Sequence, residues 1–460
     1  MIDAAKTTVN STNMMIQTCI DSAFVGIRTS RYRYLWLKRN KSMLRLLLSL
    51  CCLMCLSGQA TAHVFQIPAK QLTGLVDQAP EPYSFFSMKN GRLEPVPHQW
   101  LAFSDDGYPW FAKDSATKRT AKPGVINATD RLLLRRSDGG PRLSGNAAEQ
   151  VVGEVQVTIG DHTFYYYAVR NAYRQATQRY IRFDRQRMQV RSTDYSLAMD
   201  QDNMLVWKDF FYRSFQTASG KPETLLDTLK IRMSAGLFSE NARITLTNEN
   251  LEPRIEEISE GPLAAAVFAT TTLTVARVPV MRMRNYFLLM PQQTDIHTRF
   301  TLPTVAKTVL TPPTLSISMD GNQLYDSQLV TSWTGNKVAI TDGKLSDTEQ
   351  AMLDMPLKGE NWLWFGTGRG FDLLAELQFL EGFERPVRLL YEDDASLVNP
   401  PERFPGQLPN VGFIIEQLPI GKEFYFRAGL YFSESSQNLG PGQYANSVLG
   451  TPQITWRTLD

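Results

Sequence analysis

The densest run of side chains suited to chemistry is His98-Gln99-Trp100 through Asp105-Asp106-Gly107-Tyr108-Pro109-Trp110. Aromatic rings beside carboxylates suit a sugar. A ring covers the apolar face of a pyranose, and Asp105 and Asp106 accept from its hydroxyls. The competing reading is an Asp-Gly turn between two strands, with Trp100 and Trp110 in the core. A second run is Trp362-Leu363-Trp364-Phe365-Gly366-Thr367-Gly368-Arg369-Gly370. Its glycines let backbone approach a ligand closely, Arg369 suits an anion, and Trp364 is a candidate platform for a sugar ring. A phosphate cradle needs a helix opening after the glycines, and Phe371 to Leu380 is compatible with one. A tight loop between strands is the alternative. A third group, Glu249, Glu252, Glu256, Glu257 and Glu260, holds enough carboxylates for glycoside cleavage. Spacing along a loop does not set separation in space, however, and a solvated charged edge accounts for the group better.

The four histidines, His63, His98, His162 and His297, are scattered where metal sites want clusters. No metal site and no cofactor is expected. The one candidate ligand is His63, which as a mature N-terminus would offer an α-amine and an imidazole to Cu(II). No serine sits in a Gly-x-Ser-x-Gly elbow.

The chain carries the layout of a secretory signal. Lys38, Arg39, Lys41 and Arg45 precede the apolar run Leu46 to Leu56, and Ala60-Thr61-Ala62 follows as a small-x-small cleavage site. The run is about half the ~20 residues that a membrane span needs. Lipidation at Cys51, Cys52 or Cys55 is a rival, but none of them follows a small residue. Translation starts either at Met1 or at Met43. Cleavage after Ala62 leaves 398 of the 460 residues, and all four cysteines precede the cut. The remainder has no disulfide and no thiolate chemistry. It holds 40 basic and 44 acidic residues, so it has no electrostatic footprint for nucleic acid. It also contains no apolar run of membrane-spanning length. A periplasmic or extracellular location is expected.

Strand signals dominate the mature chain. Val151 to Ile159 and Thr163 to Val169 flank a Gly160-Asp161 turn. Ala264 to Val275, Val278 to Leu289 and Thr294 to Leu302 are long runs with period-two alternation. Hairpins are predicted about Asp320-Gly321-Asn322 and Thr334-Gly335-Asn336. Helices are predicted over Asp347 to Met355, capped by Ser346 and Glu349, and over Asp209 to Phe215. The segments are a small β-rich N-terminal lobe (63–150), a central antiparallel sandwich (151–302), a Pro/Thr-rich connection (303–314) and a C-terminal β-rich region (315–460). The fold class is mostly β, an antiparallel sandwich or supersandwich with few short helices.

Glu260-Gly261-Pro262-Leu263-Ala264-Ala265-Ala266-Val267 resembles a feature of galactose-mutarotase-like β-supersandwich domains, in which a Gly-Pro turn after an acidic residue opens a long strand. The similarity covers about Val151 to Leu302 and identifies no specific family. It implies a supersandwich and a carbohydrate ligand, and it places no catalytic residue. The leading expectation is therefore an exported protein that binds or processes a glycan, whether or not it is an enzyme. The alternatives are a non-enzymatic envelope assembly or scaffold protein, whose protein partner the sequence does not name, and a periplasmic copper-binding protein using His63.

Amino-terminal sequencing of the protein from a fractionated native host is expected to begin at or near His63. Soluble protein that retains residues 43–62 would refute cleavage.

Overall fold

In the long runs, alternate residues are apolar, and a pleated strand sends alternate residues to opposite faces. One face of each run must therefore find a core. The computed structural model describes residues 63–145, 150–355, 360–434 and 439–459. The segment read as an export signal lies outside these residues.

The N-terminal part supplies β1 (Val64–Pro68), β2 (Tyr83–Lys89), β3 (Arg92–Val96), β4 (His98–Leu101), β5 (Arg131–Arg135), β6 (Val151–Ile159) and β7 (His162–Arg170). Next come β8 (Ile181–Asp184), β9 (Gln189–Ser192), β10 (Tyr195–Met199), β11 (Trp207–Tyr212), β12 (Leu226–Leu237) and β13 (Ser239–Leu246). The long strands are β14 (Leu251–Glu260), β15 (Ala265–Val275), β16 (Val278–Met290) and β17 (Gln293–Thr301). The chain continues with β18 (Thr314–Gly321), β19 (Gln328–Thr331), β20 (Ala339–Ile340) and helix α1 (Asp347–Leu353). It ends with β21 (Trp362–Gly366), β22 (Asp372–Gln378), β23 (Val387–Glu392), β24 (Asn410–Ile415), β25 (Glu423–Ser433), α2 (Pro441–Leu449) and β26 (Gln453–Thr458). The protein is mostly β, as expected, and its strand pairings are antiparallel.

The centre is a nine-stranded sheet in the order β14-β15-β16-β17-β25-β22-β21-β19-β20. One of its faces packs on two other sheets, the five-stranded β13-β12-β18-β24-β23 and the four-stranded β11-β10-β9-β8. Phe287, Phe300, Phe365, Phe424 and Phe432 enter this main core from the large sheet, and Leu229, Phe413, Trp207 and Phe210 meet them. The N-terminal part is a smaller sandwich of β1-β5-β4 against β26-β6-β7-β2-β3, filled by Ile67, Phe85, Leu132, Val155 and Tyr166. The outer face of β1-β5-β4 then sits on the second face of the large sheet, where Val64, Leu101 and Leu133 meet Ala266, Tyr286 and Leu288. The sheets draw strands from both sides of the Pro/Thr-rich connection, which is a short 3-10 turn at Thr304–Thr308. The chain's last strand, β26, lies along β6, with Gln453 opposite Thr158.

Two local expectations change. Asp209 to Phe215 is not helical. β11 occupies Trp207–Tyr212, and Phe210 and Tyr212 alternate into the main core. Asp320-Gly321 does not turn a hairpin. β18 runs on to Gly321 between β12 and β24, because both partners satisfy its backbone along its length. No helix opens after the glycines at 366–370: Asp372–Gln378 is strand β22, paired with β21 and β25, and the glycines form the loop between strands. The glutamates from Glu252 to Glu260 lie on edge strand β14, with Glu249 in the 3-10 turn before it, as a charged edge. α1 forms where its capping box placed it, with Ser346 Oγ accepting from Glu349 N.

The Gly-Pro turn does open a long strand, β15, and it also docks the N-terminal sandwich. Gln99, on β4, accepts from Leu263 N (3.1 Å) and Ala264 N (2.8 Å) and donates to Ala264 O (3.2 Å). This docking needs glycine at 261, since a Cβ there would lie 2.2 Å from Gln99 Cδ. Gln99→Ala leaves two buried amides unpaired, at about 1–3 kcal/mol each. The expected result is a lower urea midpoint with an unchanged slope. A midpoint equal to wild type would show that the turn does not depend on Gln99.

Candidate functional site

The second face of the large sheet is apolar at both ends and polar in the middle. At one end it meets the N-terminal sandwich. At the other, Trp362, Trp364, Leu374 and Tyr431 pack under Tyr444 of α2. Between these ends, the three central strands turn a polar row inward. β17 presents Gln293, Asp295, His297 and Arg299; β25 presents Tyr425, Arg427 and Tyr431; β22 presents Glu376 and Gln378. Their alternate neighbours, such as Phe300, Phe426 and Leu377, belong to the main core. Gln66 and Arg131, from β1 and β5, cover the row from above. Together they enclose a cleft of about 270 Å³ that His63 and Gly107 also line. A larger depression of about 860 Å³ lies against the four-stranded sheet. No buried polar atom among its described lining residues lacks a partner, so the smaller cleft is the stronger candidate.

Arg427 organises the cleft. One of its Nη atoms donates to Asp295 Oδ1 (2.8 Å) and Tyr431 Oη (2.6 Å), and the other to Glu376 Oε2 (3.1 Å) and Gln378 Oε1 (2.7 Å). Asp295 Oδ2 accepts from Gln66 Nε2 at 2.7 Å. The Asp295 side chain is fully buried, whereas 15% of Arg427 and 13% of Glu376 face the cleft. Burial alone would raise Asp295, but Arg427 more than offsets it, and its carboxyl lies below the ordinary carboxylate range. For Glu376, burial outweighs Arg427 and its carboxyl is pushed up. Glycine at 429, between Arg427 and Tyr431 on the strand, leaves room for the guanidinium; a Cβ there would lie 3.1 Å from an Arg427 Nη.

His297 is buried, and its Nδ1 is 2.7 Å from Tyr425 Oη. If Tyr425 donates, Nε2 carries the proton and is a free donor; if Nδ1 donates, Nε2 is a free acceptor. In both cases Nε2 has no partner, and neither does Gln293 Oε1. Burial, opposed by Asp295 and reinforced by Arg427 and Arg131, holds the imidazole down at about 3, so it is neutral near pH 7. Tyr108 stacks edge-on against Tyr425 with centroids 4.7 Å apart.

The residues singled out in the sequence lie around this cleft, not in it. Trp100 on β4 packs against the small sandwich. Asp105 and Asp106 form an exposed turn in which Asp105 accepts from Thr120 N. Trp110 is half-buried under Arg119, and Trp364 is buried beneath α2. Arg369 donates to the carbonyls of Gln323 and Tyr325 and lies over Phe215. From these two stretches only Gly107 lines the cleft, with Tyr108 beside it. His63, the sequence's metal candidate, does line it. His63 is buried, and burial first, then Arg136, holds it at about 3. The central row went unread because polar alternation in a strand signals a solvated face, and here that face is roofed.

A second acidic cluster, Asp227, Asp320 and Glu402, has a spacing that suits a cation. Its cation is the chain's own. Lys230 Nζ pairs with Asp320 and with Glu402 (3.0 Å) and donates to Asn399 O (2.8 Å). The cluster is a structural ion-pair network.

No protein-family model matches the chain, and no curated protein matches it in sequence. Several solved structures are similar at low identity. An α-mannosidase from Enterococcus faecalis V583 is similar over 87% of this chain and 45% of its own, at 10% identity and a TM-score of 0.47. A GalM/aldose epimerase homologue from C. elegans is similar over 53% of this chain and 97% of its own, at 9% identity and a TM-score of 0.32. The chain thus spans about half the length of the mannosidase. No specific family is assigned.

Three outcomes test this description. Arg427→Met strands two carboxylates and is expected to cost about 3–5 kcal/mol, read by urea denaturation at pH 7. The loss should shrink as pH falls and the carboxyls protonate. His297 and His63 have folded pKa values below their ordinary 6.5. Their contribution is complete above that pH and is lost as pH falls towards 3, at up to about 1.4 kcal/mol per unit per histidine. Unfolding at pH 7 and pH 5 should show this decline, and His297→Gln should reduce it; an unchanged decline would assign it elsewhere. Trp364→Ala is expected to cost about 3–5 kcal/mol, as a buried core ring does, and half-buried Trp110→Ala distinctly less.

Proposed function

We propose that the cleft over β17, β25 and β22 binds a carbohydrate. One observation carries this reading. Buried donors and acceptors converge on a space about the size of a sugar ring, and several of them, His297 Nε2 and Gln293 Oε1 included, have no partner among the described residues. Buried polar groups are ordinarily satisfied. A ligand dense in hydroxyls, each both donor and acceptor, is the complement of such a mixed set. Tyr425, Tyr431 and Phe379 add ring surface to the same walls. Of the cleft's carboxyls, Glu376 is both partly accessible and pushed towards its protonated form, which suits it to give a proton to a bound oxygen if the sugar is processed. Export of the chain, with cleavage near Ala62, belongs to the same proposal and would place the cleft outside the cytoplasm.

A scaffold role is the second reading. It rests on Phe238 and Val305, 75% and 71% exposed, which stand on segments joined by the bond from Phe238 N to Val309 O.

Titration calorimetry of residues 63–460 against a panel of mono- and oligosaccharides tests the first reading. At least one sugar is expected to bind more tightly than about 1 mM. His297→Gln and Tyr425→Phe should each weaken it about tenfold, the worth of one buried hydrogen bond, while the melting temperature moves little. Absence of any binding across the panel, or binding indifferent to both substitutions, would defeat the proposal.

A further inference from the structure

The arginines at the cleft differ in how they are neutralised. Arg427 lies between Asp295 and Glu376, Arg299, on the same polar row but outside the cleft's lining, pairs with Glu423 at 2.7 Å, and Arg136 donates to Ser447 O at 2.9 Å and lies over Phe164. Arg131 faces the same space without a carboxylate. Its Nη1 donates to Gln66 Oε1 at 3.0 Å, and its guanidinium lies 3.8 Å from the centre of the Phe103 ring. Among the described residues no ion pair reaches it. Asp295 acts on it only through space, because its oxygens are bonded to Arg427 and Gln66 and not to Arg131. Gln66 is thus a neutral spacer, accepting from Arg131 with one end and donating to Asp295 with the other.

Resting on the carbohydrate reading, we propose that the sugar held in the cleft carries a carboxylate, as a uronic acid does, and that Arg131 receives it. A guanidinium offers five donors in a plane and takes a carboxylate through two parallel bonds. Arg131 spends one of its donors on Gln66 within the protein. A largely enclosed cation without a counter-charge is costly, and an anionic ligand removes that cost. Arg131 is accordingly held down to about 10, by burial first and then by Arg427. The remaining unfilled acceptor rejects a second anion. Gln293 Oε1 has no partner among the described residues and calls for a hydroxyl donor. One charged end at Arg131 and a hydroxyl towards Gln293 describe a sugar acid better than a neutral sugar or a free inorganic anion.

The test compares glucuronate- and galacturonate-containing oligosaccharides with their neutral glucose and galactose counterparts and with a sulfated, carboxyl-free counterpart, by calorimetry on residues 63–460. The uronate is expected to bind about tenfold or more tightly than its neutral partner, the usual worth of a charge-assisted bond. Arg131→Gln should bring that ratio below about twofold. Arg131→Lys, which keeps the charge and loses the fork, should leave an intermediate ratio, and it stands in if the glutamine variant fails to fold by circular dichroism. Equal binding of neutral and acidic sugars would overturn this inference and leave the carbohydrate reading intact. So would a ratio unchanged by either substitution, or a preference for the sulfated sugar. Absence of binding to any sugar would remove both.

Discussion

A positive charge at the middle of a β-sheet sets the terms for everything around it. Arg427 lies on the central strand of nine, and its guanidinium makes four hydrogen bonds to side chains from three strands. Taking a charge out of water is unfavourable unless partners replace the water. Asp295, Glu376, Gln378 and Tyr431 have to be where they are for that reason, and the glycine between Arg427 and Tyr431 leaves both side chains room. Because the strands are pleated, this requirement falls on one face only. The opposite face of the same three strands, with Phe300, Phe426 and Leu377, stays free to build the main core. The sheet therefore separates its two tasks by residue parity. One side builds the main core and the other carries the polar row between two smaller apolar contacts, with no change in backbone geometry between them.

The roof over this row is the N-terminal sandwich, and its position is fixed by contacts away from the cleft. Gln99 clamps the turn at Gly261, and Val64, Leu101 and Leu133 bury themselves on Tyr286 and Leu288. The strands that carry these anchors also carry Gln66 and Arg131, again by alternation. Two rigid sheets facing each other hold the cleft's groups more tightly than loops would, since each side chain is limited by its neighbours in the pleat.

Much of the fold was legible in the sequence. β6, β7, β15, β16 and β17 fall within a residue or so of where alternation placed them, and the capping box at Ser346 and Glu349 marked α1. Where local cues failed, long-range pairing had overruled them. Asp320-Gly321 looks like a turn, but β12 and β24, both distant in sequence, run beside it to the end. The cleft was harder to see. The run Gln293-Thr294-Asp295-Ile296-His297-Thr298-Arg299 has the pattern of a solvated strand, and nothing local reveals that another sheet covers it. His63 was singled out for an unrelated reason, its place after a cleavage site, and it lies at the cleft. The tryptophans drew attention by their rarity, but Trp100 and Trp364 serve mainly to pack the layers.

The pairing of β26 with β6 has a consequence for how the molecule comes into being. The sandwich at the front of the chain contains a strand from its far end, with Gln453 opposite Thr158. While the polypeptide is being made, the β6 edge stands open until residues 453–458 are available. Open edges are templates for pairing with the wrong chain, and contacts between remote residues form slowly because a long loop must close first. The sandwich behind the cleft's roof therefore gains its last strand some three hundred residues after the strand it pairs with.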